Sequence, residues 1–245
     1  MIPDVSIVLS CYKRGRLVRK TLESIRAQEG VNMEIIVVED GDDGNTETAA
    51  RNFGARYYRK PRTDQPAFQN PSRIHNIGIR RATGKVVLLQ GGEVKFETKP
   101  YGLRDLVAPV LENDCVATTP IVQSLDKEGK FLEWLSAPKD CPRAGWIINF
   151  CLAVDRNKLM AIGGFEESYT GYGFEDDHLM FSLNRTGVKA QYVPEVLASH
   201  QWHERTNYDF ENPEGKQKLE AFIEFITRTK ISPYANLGSD WGRIF

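Results

Sequence analysis

Apolar residues along the chain fall into short, nearly unbroken runs, separated by longer stretches in which they return every three or four positions. The runs Val5-Ser6-Ile7-Val8-Leu9-Ser10 and Glu34-Ile35-Ile36-Val37-Val38-Glu39 are rich in β-branched residues and predict two buried strands. Between them Leu17, Leu22, Ile25 and Ala27 recur at helical spacing as far as Gly30. A turn-rich Asp40–Asn45 leads into a helix ending near Asn52, and Ala55–Tyr58 reads as a third strand. Beyond a polar, proline-bearing loop from Lys60 to Pro71, a helix is predicted over Ser72–Ala82 and a fourth strand over Lys85–Gln90. Strands apolar on both faces, alternating with helices, predict an α/β chain with a mostly parallel central sheet covered on both sides.

The pattern loosens after residue 100. A helix is predicted over Leu103–Leu111, a strand over Val116–Val122, and a loop rich in Lys, Pro and Gly over Asp126–Gly145. A strand near Phe150–Val154, a helix from Arg156, an acidic helix over Glu175–Arg185, a short strand at Gln191–Val193 and a last helix over Gly215–Thr229 complete the reading. No internal repeat or low-complexity linker interrupts the 245 residues, so one domain with distinct halves is expected: 1–100, 101–204, and a C-terminal helix and tail over 205–245.

Composition narrows the function. A formal net charge of −1 supplies no global basic field for nucleic acid, although Lys127, Lys130, Lys139 and Arg143 make the central loop locally basic. Cys11, Cys115, Cys141 and Cys151 are widely spaced without a C-x-x-C pair, which suggests neither a zinc ribbon nor a disulfide framework. No run of about 18 apolar residues occurs, so no integral membrane segment is expected. Nor does a leader-like segment open the chain, and a cytoplasmic location is expected.

In an open α/β sheet, ligands bind beyond the carboxyl ends of the strands, which makes the residues following each strand informative. After the first strand come Ser10-Cys11-Tyr12-Lys13-Arg14, small and cationic groups suited to a nucleotide; no G-x-G-x-x-G and no phosphate loop of the G-x-x-x-x-G-K-[ST] type follows, which argues against a dehydrogenase or a P-loop enzyme. After the second come Glu39-Asp40-Gly41-Asp42-Asp43, whose carboxylates can accept from a ribose hydroxyl or a base N–H, or simply form a solvated turn. Arg73-Ile74-His75-Asn76 opens a helix where cationic and amide groups could meet phosphate. Gln90-Gly91-Gly92-Glu93 places one carboxylate behind two permissive glycines, where a divalent ion and a diphosphate could approach. The densest signal is Gly171-Tyr172-Gly173-Phe174-Glu175-Asp176-Asp177-His178. One acid at a helix start is ordinary capping, but three adjacent acids repel one another, and a pocket-facing carboxylate acting as general base is the sharper reading.

Together these residues resemble the family 2 glycosyltransferases of the GT-A fold, a Rossmann-like nucleotide-binding sheet joined to an acceptor-binding half. Val5–Arg14 looks like the family's opening strand and T-x-Y-N-R-type loop, Glu39-Asp40-Gly41-Asp42 like its D-D-G-S turn, and Asn76-Ile77-Gly78 with Ala82-Thr83-Gly84 like the helix before its metal-binding strand. Gly163-Gly164-Phe165-Glu166-Glu167 followed by Gly171-Tyr172-Gly173-Phe174-Glu175-Asp176 is similar to the G-G-F-D-E…G-x-G-x-E-D signature, and to the acidic region of β-1,4-galactosyltransferases.

The resemblance implies an inverting transfer of a sugar from a nucleotide-sugar, a UDP-sugar, to an acceptor hydroxyl, with Asp176 as general base and Glu175 holding a hydroxyl. Donor contacts would come from Ser10, Tyr12, Arg14, Glu39, Asp40, Arg73, Asn76, Gln90, Gly91, Gly92 and Trp146, the last of these and Tyr172 stacking on a sugar or base. Where the family carries D-x-D for its metal, this chain offers only Glu93; His200 and His203 stand where related enzymes place a histidine ligand, so that Glu93 with one of the two, His200 preferred, and the donor diphosphate would hold Mn²⁺ or Mg²⁺. The acceptor stays open among a glycan, a lipid-linked sugar, a protein and a modified nucleic acid. Two alternatives stand beside this reading: a non-catalytic carbohydrate-binding or scaffold protein of the same fold, and a sugar nucleotidyltransferase, which would need a basic glycine-rich loop after the first strand.

Overall fold

The structure is a computed structural model and describes residues 2–60, 70–137, 150–169, 173–204, 235–236 and 240–242. The predicted C-terminal helix, Trp146 and Tyr172 lie outside the described residues.

The elements follow one another as β1 (Val5–Cys11), α1 (Gly15–Arg26), β2 (Met33–Glu39), α2 (Gly44–Asn52), β3 (Arg56–Arg59), α3 (Ser72–Arg81), β4 (Val86–Gly91), β5 (Val94–Phe96), α4 (Gly102–Glu112), β6 (Val116–Leu125), β7 (Phe131–Ser136), β8 (Cys151–Asp155), α5 (Arg156–Ile162), α6 (Glu175–Arg185) and β9 (Lys189–His200). They form one nine-stranded sheet in the order β3-β2-β1-β4-β8-β6-β9-β5, with β7 paired to β6.

The expected parallel sheet holds for its first part, where β3, β2, β1 and β4 run parallel, with Leu9 opposite Val37 and Gln90. From β8 onward the sheet is mixed: β4–β8, β6–β8, β6–β7 and β5–β9 are antiparallel, while β6–β9 is parallel. The period-2 alternation of side chains divides the apolar runs between two cores. Ile7, Leu9, Val37 and Leu88 pack under Val18, Leu22 and Ile25 of α1 and Leu103, Leu106 and Val107 of α4. Val8, Ile36, Val38 and Leu89 pack under Ile74 and Ile77 of α3, Ile162 of α5, and Leu179 and Leu183 of α6.

Three strands differ from the sequence reading. β7 lies inside the segment read as a loop; its partner is reached through a tight turn in which Asp126 N–H donates to Lys130 O at 2.8 Å and Gly129 takes φ +81°. Its side chains leave Phe131 and Leu132 about half exposed, so no buried run announces it. β5 is three residues long. β9 runs over twelve residues rather than three, because parallel pairing to β6 carries it past Pro194 and Glu195, with a register shift at Pro120/Ile121. No helix among the described residues is long and apolar enough to cross a membrane.

Candidate functional site

β1, β2 and β4 end side by side, with Ser10 opposite Gly91 and Cys11 opposite Glu39. Lys13, two residues beyond β1, takes φ +50°, a conformation that costs a non-glycine residue energy and clusters at functional sites. Its ammonium lies 5.3 Å from the centre of the Tyr12 ring. Arg14 occupies the N-cap of α1.

Glu39 is fully buried. It accepts the Tyr57 hydroxyl at 2.6 Å, its Oε1 has no hydrogen-bond partner, and burial pushes its carboxyl pKa up. Asp40 is half-buried and ion-paired at 3.0 Å to Lys60, whose side chain is almost wholly enclosed. Asp43, by contrast, is spent on structure: it caps α2 and also accepts the Gly15 N–H at 2.9 Å, and these bonds hold its pKa down against partial burial.

The end of β4 meets the end of β9 through β5, which pairs Val94 with His200. That ladder gathers Glu93, His200 and His203, whose ligand atoms all lie within 4.8 Å of one another; Glu93 Oε1 is 3.7 Å from His200 Nε2. One carboxylate and two imidazoles, all half-buried, form a mixed N/O donor set that suits a divalent ion such as Mn²⁺ better than a soft, thiolate-seeking one, and it is not the all-oxygen set of a typical Mg²⁺ site. Gly92 is packed into this corner: its N–H donates to Ser10 O at 2.8 Å, and a Cβ there would lie 2.8 Å from Cys11 Cβ. Gln90 is fully buried, with Nε2 donating to Val94 O at 2.6 Å and Oε1 without a partner. Gly91 leaves room for the Glu93 carboxylate, which a Cβ at that position would crowd at 2.8 Å.

α3 links the strand ends to the acidic helix. Ser10 Oγ lies 3.3 Å from Nε2 of His75, which is stacked on Phe165 at 4.6 Å and whose pKa burial pushes down to about 4, so the ring is neutral at pH 7. Asn76 sits at the centre of a clasp: its carbonyl accepts Phe165 N–H, and its amide donates to Phe165 O and Glu167 Oε1, each at 2.8 Å. Gly164, at φ +69°, is needed because any side chain would run into the Asn76 amide. Glu167 also accepts Gly242 N–H at 2.7 Å. The Gly163–Glu167 motif therefore joins α3 to α5. Arg73, beside these residues, is half-buried with its Nε enclosed and unpartnered.

The acidic helix begins on a strained residue. Phe174, its N-cap, takes φ +70°, again left-handed for a bulky residue. Glu175 is buried and accepts Asn70 Nδ2–H at 2.9 Å; burial first, then the Asp177 charge, raise its pKa against the hydrogen bonds it receives. Asn70 in turn caps Ser72 at the start of α3. Asp176 is half-buried beside it. Sequence reasoning missed the roles of Asn70, His75 and Lys60. An Asn two residues before a helical Ser is a capping signal, but its second bond to an acid in another helix is visible only in three dimensions.

A sequence profile of glycosyl transferase family 2 matches residues 6–149. The chain belongs to this family. Among curated relatives it is 26% identical over 141 residues to an uncharacterized glycosyltransferase of Rickettsia bellii, covering 54% of this chain and 19% of that protein. It is 25% identical over 229 residues to polypeptide N-acetylgalactosaminyltransferase 8 of Drosophila melanogaster, covering 81% and 38%. The chain thus spans less than half the length of these relatives. Two solved structures share the fold: a mannosyltransferase of Pyrobaculum calidifontis in complex with GDP-Man and Mn²⁺, with TM-score 0.67, 18% identity, 95% of this chain and 67% of that one; and GalNAc-T7 with UDP, GalNAc and Mn²⁺, with TM-score 0.68, 14% identity, 92% and 48%. The family 2 glycosyltransferase fold in this chain is accordingly of the GT-A type, with a mixed rather than strictly parallel sheet.

Proposed function

We propose that the chain transfers a sugar, with inversion, from a UDP-sugar to an acceptor hydroxyl, residues 1–100 serving the donor and 101–204 the acceptor. The observation that carries the reading is the meeting of Glu93, His200 and His203 at the strand ends that also present Ser10, Tyr12, Arg14 and Asp40. Mn²⁺ held by Glu93, His200 and His203 would neutralise charge developing on the departing diphosphate. Asp40, held by Lys60, accepts from a base N–H or ribose hydroxyl, and Arg14 and Arg73 are the cations for the phosphates. Gln90, Gly91 and Gly92 shape the floor beside the donor, and Asn76 fixes the joint between the two halves.

Asp176 takes the proton from the acceptor oxygen as that oxygen bonds to the anomeric carbon, while the bond from that carbon to the diphosphate oxygen breaks on the opposite face. Its position in the first turn of α6, behind the strained Phe174, places the carboxylate where a helix N-terminus favours negative charge. Glu175, with its raised pKa, can hold a proton and orient a hydroxyl. Preorganised positioning and charge account for the catalysis, since the diphosphate is itself a good leaving group.

Calorimetric titration of UDP and GDP, with and without Mn²⁺, tests the donor site in wild type and Glu93→Ala. Mn²⁺-dependent UDP binding that disappears in Glu93→Ala supports the reading. Absence of nucleotide binding under every condition refutes it and returns the chain to a carbohydrate-binding role without catalysis.

A further inference from the structure

We propose that Gln201 is a positioning residue that presets the Glu93, His200 and His203 constellation, so that cation affinity depends on a side chain that touches no cation. The inference rests on the reading of that cluster as a divalent-cation site.

Gln201 lies between the two histidines in sequence and is buried. It grips the peptide of Glu93 twice, its backbone N–H donating to Glu93 O at 3.0 Å and its Nε2 at 3.1 Å. The same Nε2 reaches Leu17 O at 3.2 Å and Thr21 Oγ1 at 3.1 Å, both on α1. Two of these three partners are carbonyls that can only accept, so the amide nitrogen faces them, its two N–H groups shared among three acceptors while Oε1 is buried without a partner. Thr21 continues the chain: its hydroxyl donates to Gly92 O at 2.8 Å, so it accepts from Gln201. Thr21 is fully buried, and hydrogen bonds linked in series in a dry interior strengthen one another.

The turn that carries Glu93 is therefore held at two consecutive carbonyls, Gly92 O by Thr21 and Glu93 O by Gln201. Because Gln201 follows His200 directly, the one residue fixes the carboxylate-bearing turn and the histidine-bearing strand end to the rigid helix α1. Outer partners that orient ligands without contacting the metal change metal affinity by about 10- to 100-fold when removed.

The test uses the full chain and Mn²⁺ alone as probe, with free Mn²⁺ read by electron paramagnetic resonance and the ligand field read from the absorption spectrum of bound Co²⁺. Gln201→Leu keeps the volume and loses every side-chain bond; Thr21→Val is isosteric and breaks only the relay. Both are expected to weaken Mn²⁺ binding, Gln201→Leu by about 10- to 100-fold, and to alter the Co²⁺ spectrum. Ile162→Val, in the opposite core on α5, is expected to lower Tm with Mn²⁺ affinity unchanged. Wild-type affinity and an unchanged Co²⁺ spectrum in both clamp variants, with binding lost in Glu93→Ala, would overturn the inference and leave the cation site standing. Affinity loss in Ile162→Val that matches its Tm loss would overturn it as a mere stability effect. No Mn²⁺ binding by wild type would remove both the inference and the cation reading. Should Gln201→Leu fail to fold, Thr21→Val carries the comparison alone.

Discussion

Replacing Gly92 by alanine should destabilise the protein, and for a local reason. Gly92 is outside the left-handed region, so its backbone tolerates any residue; the obstacle is space. A Cβ there would lie 2.8 Å from Cys11 Cβ, 3.0 Å from Val18 Cγ2 and 3.2 Å from Ser10 O. The first and third belong to the central strand β1 and its backbone and cannot move aside cheaply. Overpacking of this kind costs about 1–3 kcal/mol, and at about 2–4 °C per kcal/mol for a chain of this size Tm should fall by several degrees. Gly44 supplies the control: it opens α2, has nothing within 4 Å of its added Cβ and also lies outside the left-handed region, so Gly44→Ala should be neutral or stabilising by up to about 1 kcal/mol. The same chemical change thus has opposite signs at two positions. Differential scanning calorimetry and urea titration read both. If the Val18 contact matters, Val18→Ala should cost less in the Gly92→Ala background than alone, by about 0.5 kcal/mol or more. A Gly92→Ala protein melting within about 1 °C of wild type would refute the packing argument. The same geometry predicts that Gly92→Asp destabilises further than Gly92→Ala, because it adds a buried carboxylate to the steric clash.

Asp176→Asn should lower the transfer rate by about 10²- to 10⁴-fold while calorimetric UDP binding stays at the wild-type value; wild-type turnover would remove Asp176 from the base role. His75 should make stability fall in acid. Its folded pKa is about 4 against an ordinary 6.5, so between these values the unfolded chain binds more protons, and stability is full above pH 6.5 and declines as pH falls toward 4. At 1.36 kcal/mol per tenfold change in proton affinity the loss approaches about 3 kcal/mol, and His75→Phe should flatten that part of the urea-derived pH profile; an unchanged slope contradicts it. Glu175 acts in the opposite sense. Its raised pKa means that ionised burial is unfavourable, so Glu175→Gln should raise Tm at pH 8 and the gain should shrink as the pH falls below the folded pKa; a gain that is constant with pH would refute the burial argument.

What the chain discloses in one dimension depends on where each element is buried. β1, β2 and β4 carry apolar residues on both faces, and their runs predict them without ambiguity. β7 passes from exposed Phe131, Leu132 and Glu133 to buried Ser136, and β9 mixes exposed, half-buried and buried positions, so neither presents an unbroken apolar run and a run-based reading shortens or loses them. The site divides along the same line. Glu93 and His200 are individually conspicuous, yet nothing local joins them; β5, three residues long and the weakest signal in the sequence, is the strand that does. Likewise Gly163–Glu167 was legible as a signature but not as a clasp, since Gly164 is required by the Asn76 amide, which arrives from a helix far away in the chain. Residue types at strand ends therefore announce the chemistry, whereas the order in which antiparallel strands return to those ends decides which of them meet. The same return explains why a polar residue between two histidines, unremarkable in sequence, becomes the tie between the cation turn and α1: Gln201 acquires its three acceptors only when β9 closes on β5.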